Sequence, residues 1–132
     1  MAFLLDTNII SYLVRDPQGS VALRVAKEAS DDLLTSIVVI GEIAFGFARS
    51  PSLALERQSA KVLRGIQIID LDQATASVYG SIRADLQRRG TPIGSNDLWI
   101  AAHALALDAT LVTANEGEFR RVPGLRVENW TL

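Results

Sequence analysis

Three acidic residues stand where a carboxylate is costly unless it is exposed, paired or bound to a cation. Asp6 closes the apolar run Phe3-Leu4-Leu5 and opens Thr7-Asn8. Glu42 lies inside the apolar stretch from Ile37 to Phe45. Asp97 follows Gly94-Ser95-Asn96 and leads into Leu98-Trp99-Ile100. Each has a bland reading when taken singly. Asp6 fits a turn or a helix cap, Glu42 the wet side of an amphipathic helix, and Asp97 the first turn of a helix, where the macrodipole favours an acid. Their joint placement carries the inference. Carboxylates about 5 Å apart at an effective dielectric of about 20 repel by on the order of 3 kcal/mol per pair. A shared cation relieves that repulsion, and an all-oxygen set suits Mg²⁺ or Mn²⁺. Such an ion acidifies water for attack on phosphorus, and a second ion steadies the leaving oxygen. This chemistry needs neither histidine nor cysteine. The chain has no cysteine, and its one histidine, His103, stands six residues past Asp97 and so faces elsewhere.

The elements that position these acids are legible from patterning. Phe3-Leu4-Leu5 reads as a short buried parallel strand with Asp6 at its carboxyl end. Thr7 or Asn8 is a candidate cap for a helix carrying Ile9, Ile10, Leu13 and Val14. Asp16-Pro17-Gln18-Gly19 is a turn, and Ser20 to Ala29 a second helix. Leu33 to Thr35 is a strand, and Ser36 caps a helix that runs to about Arg49. Leu53 to Leu63 is a helix, residues 66 to 71 a strand and Gln73 to Arg89 a long helix with Val78, Ile82 and Leu86 on one stripe. Asn96 to Leu107 is an alanine-rich helix, Thr110 to Thr113 a strand, and Leu125 to Trp130 a last edge strand. The leucine, valine and isoleucine stripes are expected to be core. Strands alternating with helices predict an α/β/α sandwich with a central parallel sheet, formed by residues 1–132 as one domain. Ligands bind beyond the carboxyl ends of such strands. Asp6 is at one such end, and Thr113, Asn115 and Glu118 follow another.

Composition narrows the class. Hydrophobic residues make up 48% and charged residues 21%, which describes a folded protein rather than a disordered one. The net charge of −2 argues against a broad basic nucleic-acid footprint. No apolar run reaches the roughly 18 residues of a membrane span, and no basic segment precedes the first apolar stretch as in a signal peptide. No membrane partner is expected. The lack of cysteine excludes disulfides and thiolate chemistry and fits a cytoplasmic protein.

The stretch from Leu4 to Leu13 resembles the opening of PIN-domain ribonucleases of the VapC toxin type. Ser36 to Gly46, centred on Gly41-Glu42, resembles their second motif, and Pro92 to Ala104 their third. Thr110 to Phe119, then Val122-Pro123-Gly124-Leu125 and Glu128-Asn129-Trp130, resembles their ending. Four motifs in register cover essentially the whole chain. The resemblance implies a PIN-like fold and Mg²⁺- or Mn²⁺-dependent endonucleolytic cleavage of RNA by activated water. It also implies a homodimer and inhibition by a cognate VapB-like antitoxin. Asp6, Glu42 and Asp97 match the family's first three acids, which are its metal ligands and catalytic residues. Many members carry a fourth acid where this chain has Asn115. Glu118 is then the candidate to supply the missing charge, and Asn115→Asp is expected to be tolerated. Thr7, Asn8 and Thr113 are expected to hold the ligands by hydrogen bonds. Arg83, Arg88, Arg89, Arg120 and Arg121 are candidates to contact RNA phosphates.

Two other classes share the small acidic α/β pattern. An aspartyl-phosphate phosphatase would use Asp6 as nucleophile and usually carries another Asp two residues on, where this chain has Asn8. An Mg²⁺-binding phospho-acceptor module needs paired acids after the first strand and a lysine after the last. Here Asp6 stands alone, and the two lysines are Lys27 and Lys61.

Overall fold

A computed structural model describes all 132 residues. Five parallel strands form one sheet: β1 (Phe3–Leu5), β2 (Leu33–Ser36), β3 (Gln67–Ile69), β4 (Thr110–Val112) and β5 (Val127–Glu128). The spatial order is β3-β2-β1-β4-β5, and every neighbouring pair is parallel. Residues 3–5 of β1, 33–36 of β2 and 110–112 of β4 are all buried. Helices cover both faces of these strands, which is why they read as continuous apolar runs and not as alternation.

Seven helices connect and flank the strands: α1 (Thr7–Arg15), α2 (Ser20–Lys27), α3 (Ile37–Arg49), α4 (Leu53–Leu63), α5 (Gln73–Arg88), α6 (Ser95–Ala106) and α7 (Glu116–Phe119). A 3-10 turn at Ser30–Asp32 precedes β2. Capping fixes most of the helix starts. Ser36, Ser52 and Asp72 accept from the backbone N–H groups of Val38, Leu55 and Thr75. The α1 cap departs from expectation: it is Asp6, not Thr7 or Asn8, whose Oδ1 accepts from the Ile9 N–H at 3.0 Å. Strand β1 ends one residue earlier than a Thr or Asn cap would need, so the helix starts at once. α2 also stops at Lys27, which leaves Ala29 exposed and off the stripe.

Twenty-three buried apolar residues form one cluster through both layers. The C-terminal segment closes one side of it. Trp130 packs edge-on against Phe3 at 5.0 Å, and the Arg24 guanidinium lies 4.6 Å from the Trp130 ring centre. Helix α3 is the exception to the rule that its apolar stripe is core. Only Val39 is buried; Ile37 is 38% and Phe45 62% exposed. A helix this apolar that stays uncovered presents a face for a partner.

The chain steps outward from β1 to β2 to β3, then crosses back to place β4 on the other side of β1. The order therefore reverses between β1 and β4. A crevice opens at such a reversal, beyond the carboxyl ends of the two strands. Asp6 follows β1 and Thr113 follows β4 at that point.

Candidate active site

Asp6 is held from several directions. It is 5% exposed, and its own N–H donates to the Val112 carbonyl at 3.1 Å. Its carboxylate takes the Ile9 N–H and lies within hydrogen-bonding reach of the Thr113 hydroxyl and the Asn8 N–H. Thr113 is itself fixed: its hydroxyl oxygen accepts from the Asn115 N–H at 2.9 Å, and its N–H donates to the Glu128 carbonyl. Thr35 steadies the floor by donating to the Leu5 carbonyl at 2.7 Å. The expected supporting role of Asn8 resides in its backbone, since its side chain is exposed.

Glu42 sits in the second turn of α3. The Thr7 hydroxyl donates to its Oε1 at 2.7 Å, and Oε2 takes no side-chain hydrogen bond. Asp97 is in the first turn of α6. Glu118, on the short helix α7, accepts from the Gly94 N–H at 2.9 Å through Oε1 and from the Asn115 Nδ2 at 2.8 Å through Oε2. It also lies within hydrogen-bonding reach of Asp97. The structure thus brings Asp6, Glu42, Asp97 and Glu118 into one electrostatic cluster, with Asn115 orienting Glu118. The Gly94 N–H contact carries no mark in the sequence, because any non-proline residue offers that donor.

The charges report on their surroundings. Burial pushes the Asp6 carboxyl up to about 6 against the Thr113 and Ile9 donors that favour its ionised form, with Glu42 adding to the rise. Burial also pushes Asp97 up to about 7, followed by the negative charges of Glu118, Glu42 and Asp6. Glu118 is held below its usual range by the Gly94 N–H. Asp97 and Glu118 are therefore pushed apart, Asp97 upward and Glu118 downward, by burial of the one, by the Gly94 N–H on the other and by their mutual contact. The side chains as they stand do not draw three acids round one point closely enough to grip a single ion. A small hard divalent cation takes one or two protein carboxylates and completes its shell with water and substrate oxygens. The all-oxygen donor set, with the pKa values of Asp6 and Asp97 raised by burial and by neighbouring negative charge that a cation would offset, fits such an ion.

The other candidates separate clearly. Arg89 pairs with Asp85 at 2.9 Å and Arg120 with Glu116 at 2.7 Å, both along their own helices. Arg83, Arg88 and Arg121 pair with no carboxylate. His103 stays away from the acids. It is buried, with Nδ1 at 2.8 Å from Ser36 Oγ, and it ties α6 to the capping residue of α3. Burial lowers its pKa. Beside the acids, α1, α3 and α4 enclose a groove of about 950 Å³ with Thr7 and Glu42 in its wall. Its remaining lining is mixed, with Ile10, Val14, Ile43 and Phe45 beside Ser11, Arg15, Arg49 and Asn96.

Comparison with known proteins matches these features. The PIN domain family profile covers residues 3–125. Ribonuclease VapC2 of Rickettsia felis is 36% identical over 132 residues, 98% of each chain. The tRNA(fMet)-specific endonuclease VapC of Salmonella typhimurium is 35% identical over 133 residues, again 98% of each. Among solved structures, VapBC2 from Rickettsia felis bound to a DNA fragment from their promoter superposes with a TM-score of 0.92. The identity there is 35%, covering 98% of this chain and 99% of that one. None of these findings favours the phosphatase or phospho-acceptor alternative, and Asp6 is engaged by three donors rather than presented as a free nucleophile.

Proposed function

Since the chain belongs to the PIN-domain family, among its VapC ribonucleases, we propose that it is the toxin of a toxin–antitoxin pair and cleaves RNA with Mg²⁺ or Mn²⁺. It is a nuclease that hydrolyses phosphodiester bonds. The observation that carries the metal-dependent reading is the convergence of Asp6, Glu42, Asp97 and Glu118 where the strand order reverses. Asp6 and Asp97 would hold the ion, which when bound would supply Lewis acidity toward water and the phosphoryl oxygens. Asp6 is aimed by the Ile9 N–H and Thr113. Glu42, with Oε1 occupied by Thr7, uses Oε2 to orient the attacking water. Glu118 takes a position beside Asp97 and replaces the fourth acid that Asn115 lacks. In-line attack leaves a 5′-phosphate and a 3′-hydroxyl.

Transfer RNA is the first substrate to test, because a relative of 35% identity is named for it. A VapB-like antitoxin is the partner. The acidic crevice suits an arginine fork, and the adjoining groove, lined by apolar and polar side chains alike, suits the rest of an inserted amphipathic segment. The uncovered face of α3 supports a homodimer. No helix is long and apolar enough to cross a membrane, which supports action in the cytoplasm.

The deciding experiment compares wild type with Asp6→Asn and Asp97→Asn in metal-scrubbed buffer restored with Mg²⁺ or Mn²⁺. Wild type should cleave RNA only with metal, and both variants should be inactive while folded. A variant cleaving at near wild-type rate removes its residue from the site. Cleavage by wild type in EDTA removes the metal from the reading. A purified complex with the antitoxin that is fully active on RNA defeats the inhibitory partnership.

A further inference from the structure

The first turn of α6 separates two concavities. Asn96 lines the groove between α1, α3 and α4, whereas Ser95 lines a second hollow on the opposite side. Asp97, the next residue, belongs to the acids between them. The second hollow lies between α5, the loop of residues 90–94 and the start of α6. Its walls include Tyr79, Arg83, Gln87, Pro92, Ile93 and Ser95. Its volume is about 150 Å³. Sites for whole small molecules usually hold roughly 300–1,000 Å³. A hollow this small, with an open rim, suits one planar group of a longer chain.

The arginines give this place its sign. Among the candidate arginines, Arg89 and Arg120 are committed to carboxylates. Arg83 and Arg121 have no carboxylate partner; Arg83 lines the hollow, and Arg121 is tied to Pro92 in its wall. Arg83 donates to the Tyr79 hydroxyl at 3.1 Å, and Arg121 donates to the Pro92 carbonyl at 3.0 Å. Each hydrogen bond holds a guanidinium at the rim while leaving most of its donors free. Arg121 is also within electrostatic reach of Glu118, so the rim borders the acids. Tyr79 is immobilised by stacking on Trp99 with ring centres 3.8 Å apart and planes 12° apart. The backbone N–H groups of the first turn of α6 have no side-chain cap and add partial positive charge. Two anchored cations, a flat partly apolar wall and a fixed aromatic make a surface that recognises one nucleotide of a single strand.

We propose that this hollow is a subsite for the nucleotide adjoining the scissile phosphodiester. Arg83 and Arg121 take its phosphate, and the wall of Tyr79, Pro92 and Ile93 takes its base. The proposal rests on the ribonuclease reading above. It separates Arg83 and Arg121, which bind substrate here, from Arg89 and Arg120, which serve as structural pairs. The substrate strand crosses the acids with one side chain-lined hollow beyond them.

The test uses the free protein and bulk bacterial transfer RNA. Arg83→Gln and Arg121→Gln should each raise KM about tenfold with kcat little changed, as for contacts made equally in the ground and transition states. On the Asp97→Asn background, which binds without cutting, each should lower the slope of log affinity against log salt by about 0.7. Arg83→Lys should recover the salt slope, because it keeps the charge. Lys27→Gln, on α2, should change neither quantity. Melting curves identify any variant that fails to fold, and for such a variant the lysine substitution supplies the measurement. Wild-type KM and salt slope in folded Arg83→Gln and Arg121→Gln overturn the subsite while leaving the ribonuclease intact. So does a loss confined to antitoxin binding, which would make the hollow a protein-docking site. If wild type with Mn²⁺ cleaves neither transfer RNA nor total bacterial RNA, the functional reading falls and takes the subsite with it.

Discussion

The Thr7 hydroxyl donates a 2.7 Å hydrogen bond to Glu42 Oε1. It joins the first residue of α1, next to Asp6, to the second turn of α3, and so couples the placement of two acids on different helices. A hydrogen bond to a charged acceptor contributes about 1.5–3 kcal/mol, but aim matters more than stability here. Thr7→Val keeps the shape and removes the donor. It should lower kcat/KM by about ten- to hundredfold and weaken Mn²⁺ binding, while Thr7→Ser should stay near wild type. Full activity in Thr7→Val would show that Glu42 needs no anchor.

Asn115 and Glu118 should respond in opposite ways. Glu118→Gln removes the charge that faces Asp97 and should cut activity severely. Asn115→Ala only frees Glu118 and should be milder. Asn115→Asp looked harmless from sequence. The structure shows its side chain donating to Glu118 at 2.8 Å, so an acid there places two carboxylates in contact. Without metal it should lower stability by on the order of 3 kcal/mol, and Mn²⁺ should restore much of the loss. Thermal scans with EDTA and with Mn²⁺ measure both effects.

The metal-free protein should lose stability as pH rises from about 4 to 7. Asp6 and Asp97 have folded pKa values of about 6 and about 7, above their unfolded value of 3.8. In that window the native state holds protons that the unfolded chain has released, so raising the pH favours unfolding. Asp6 alone accounts for about 3 kcal/mol across the window. His103 works the other way. Its pKa is lowered by burial, so the unfolded chain takes up the proton first, and its contribution to stability is lost as pH falls below about 6.5. Urea melts in EDTA at several pH values should give a net fall toward neutrality. In Asp6→Asn/Asp97→Asn the slope should reverse sign, because the groups left with shifted pKa values, His103 together with the carboxylates Asp72, Glu116 and Glu118, are all shifted downward and all lose their contribution as pH falls. An unchanged slope in that variant would mean that neither acid carries a raised pKa.

Metal should produce a crossover. Binding to the native state alone adds about 2.7 kcal/mol at a free ion concentration about 100 times Kd. The melting temperature of wild type should therefore rise with Mn²⁺ more than with Na⁺ at matched ionic strength. Asp6→Asn and Asp97→Asn should melt higher than wild type in EDTA, since each removes a repelling charge, and should respond less to Mn²⁺. Asparagine keeps the α1 cap at position 6, so the comparison is not clouded by a lost helix start. Equal Mn²⁺ shifts in all three proteins would separate Asp6 from Asp97.

His103→Ala should cost about 2–4 kcal/mol of stability, from the cavity and the orphaned Ser36 hydroxyl. Cleavage per folded molecule should remain near wild type, because the ring faces Ser36 and not the acids. A large loss of kcat without a loss of stability would give the ring a part in the chemistry.

Short-range physics made much of this protein readable from its sequence. A three-residue apolar run between polar turns is enough to announce a buried parallel strand, and the residue after it is then at a carboxyl end. That argument found Asp6, and the same local logic found Glu42, Asp97 and the alternation of strands and helices. It could not decide relationships set by strand order. Glu118 becomes the fourth acid only because β4 lies beside β1 and α7 then meets the Gly94 N–H. Asp6, the proposed site acid, is also the α1 cap because β1 ends where α1 begins. Arg83 and Arg121 look like Arg89 and Arg120 in the sequence; the carboxylates that neutralise the latter pair are placed by helix phase and packing. The α3 stripe was read as core from hydrophobicity, which measures what a side chain avoids. Whether another element covers that stripe is settled by the tertiary arrangement, and here Ile37 and Phe45 remain in solvent.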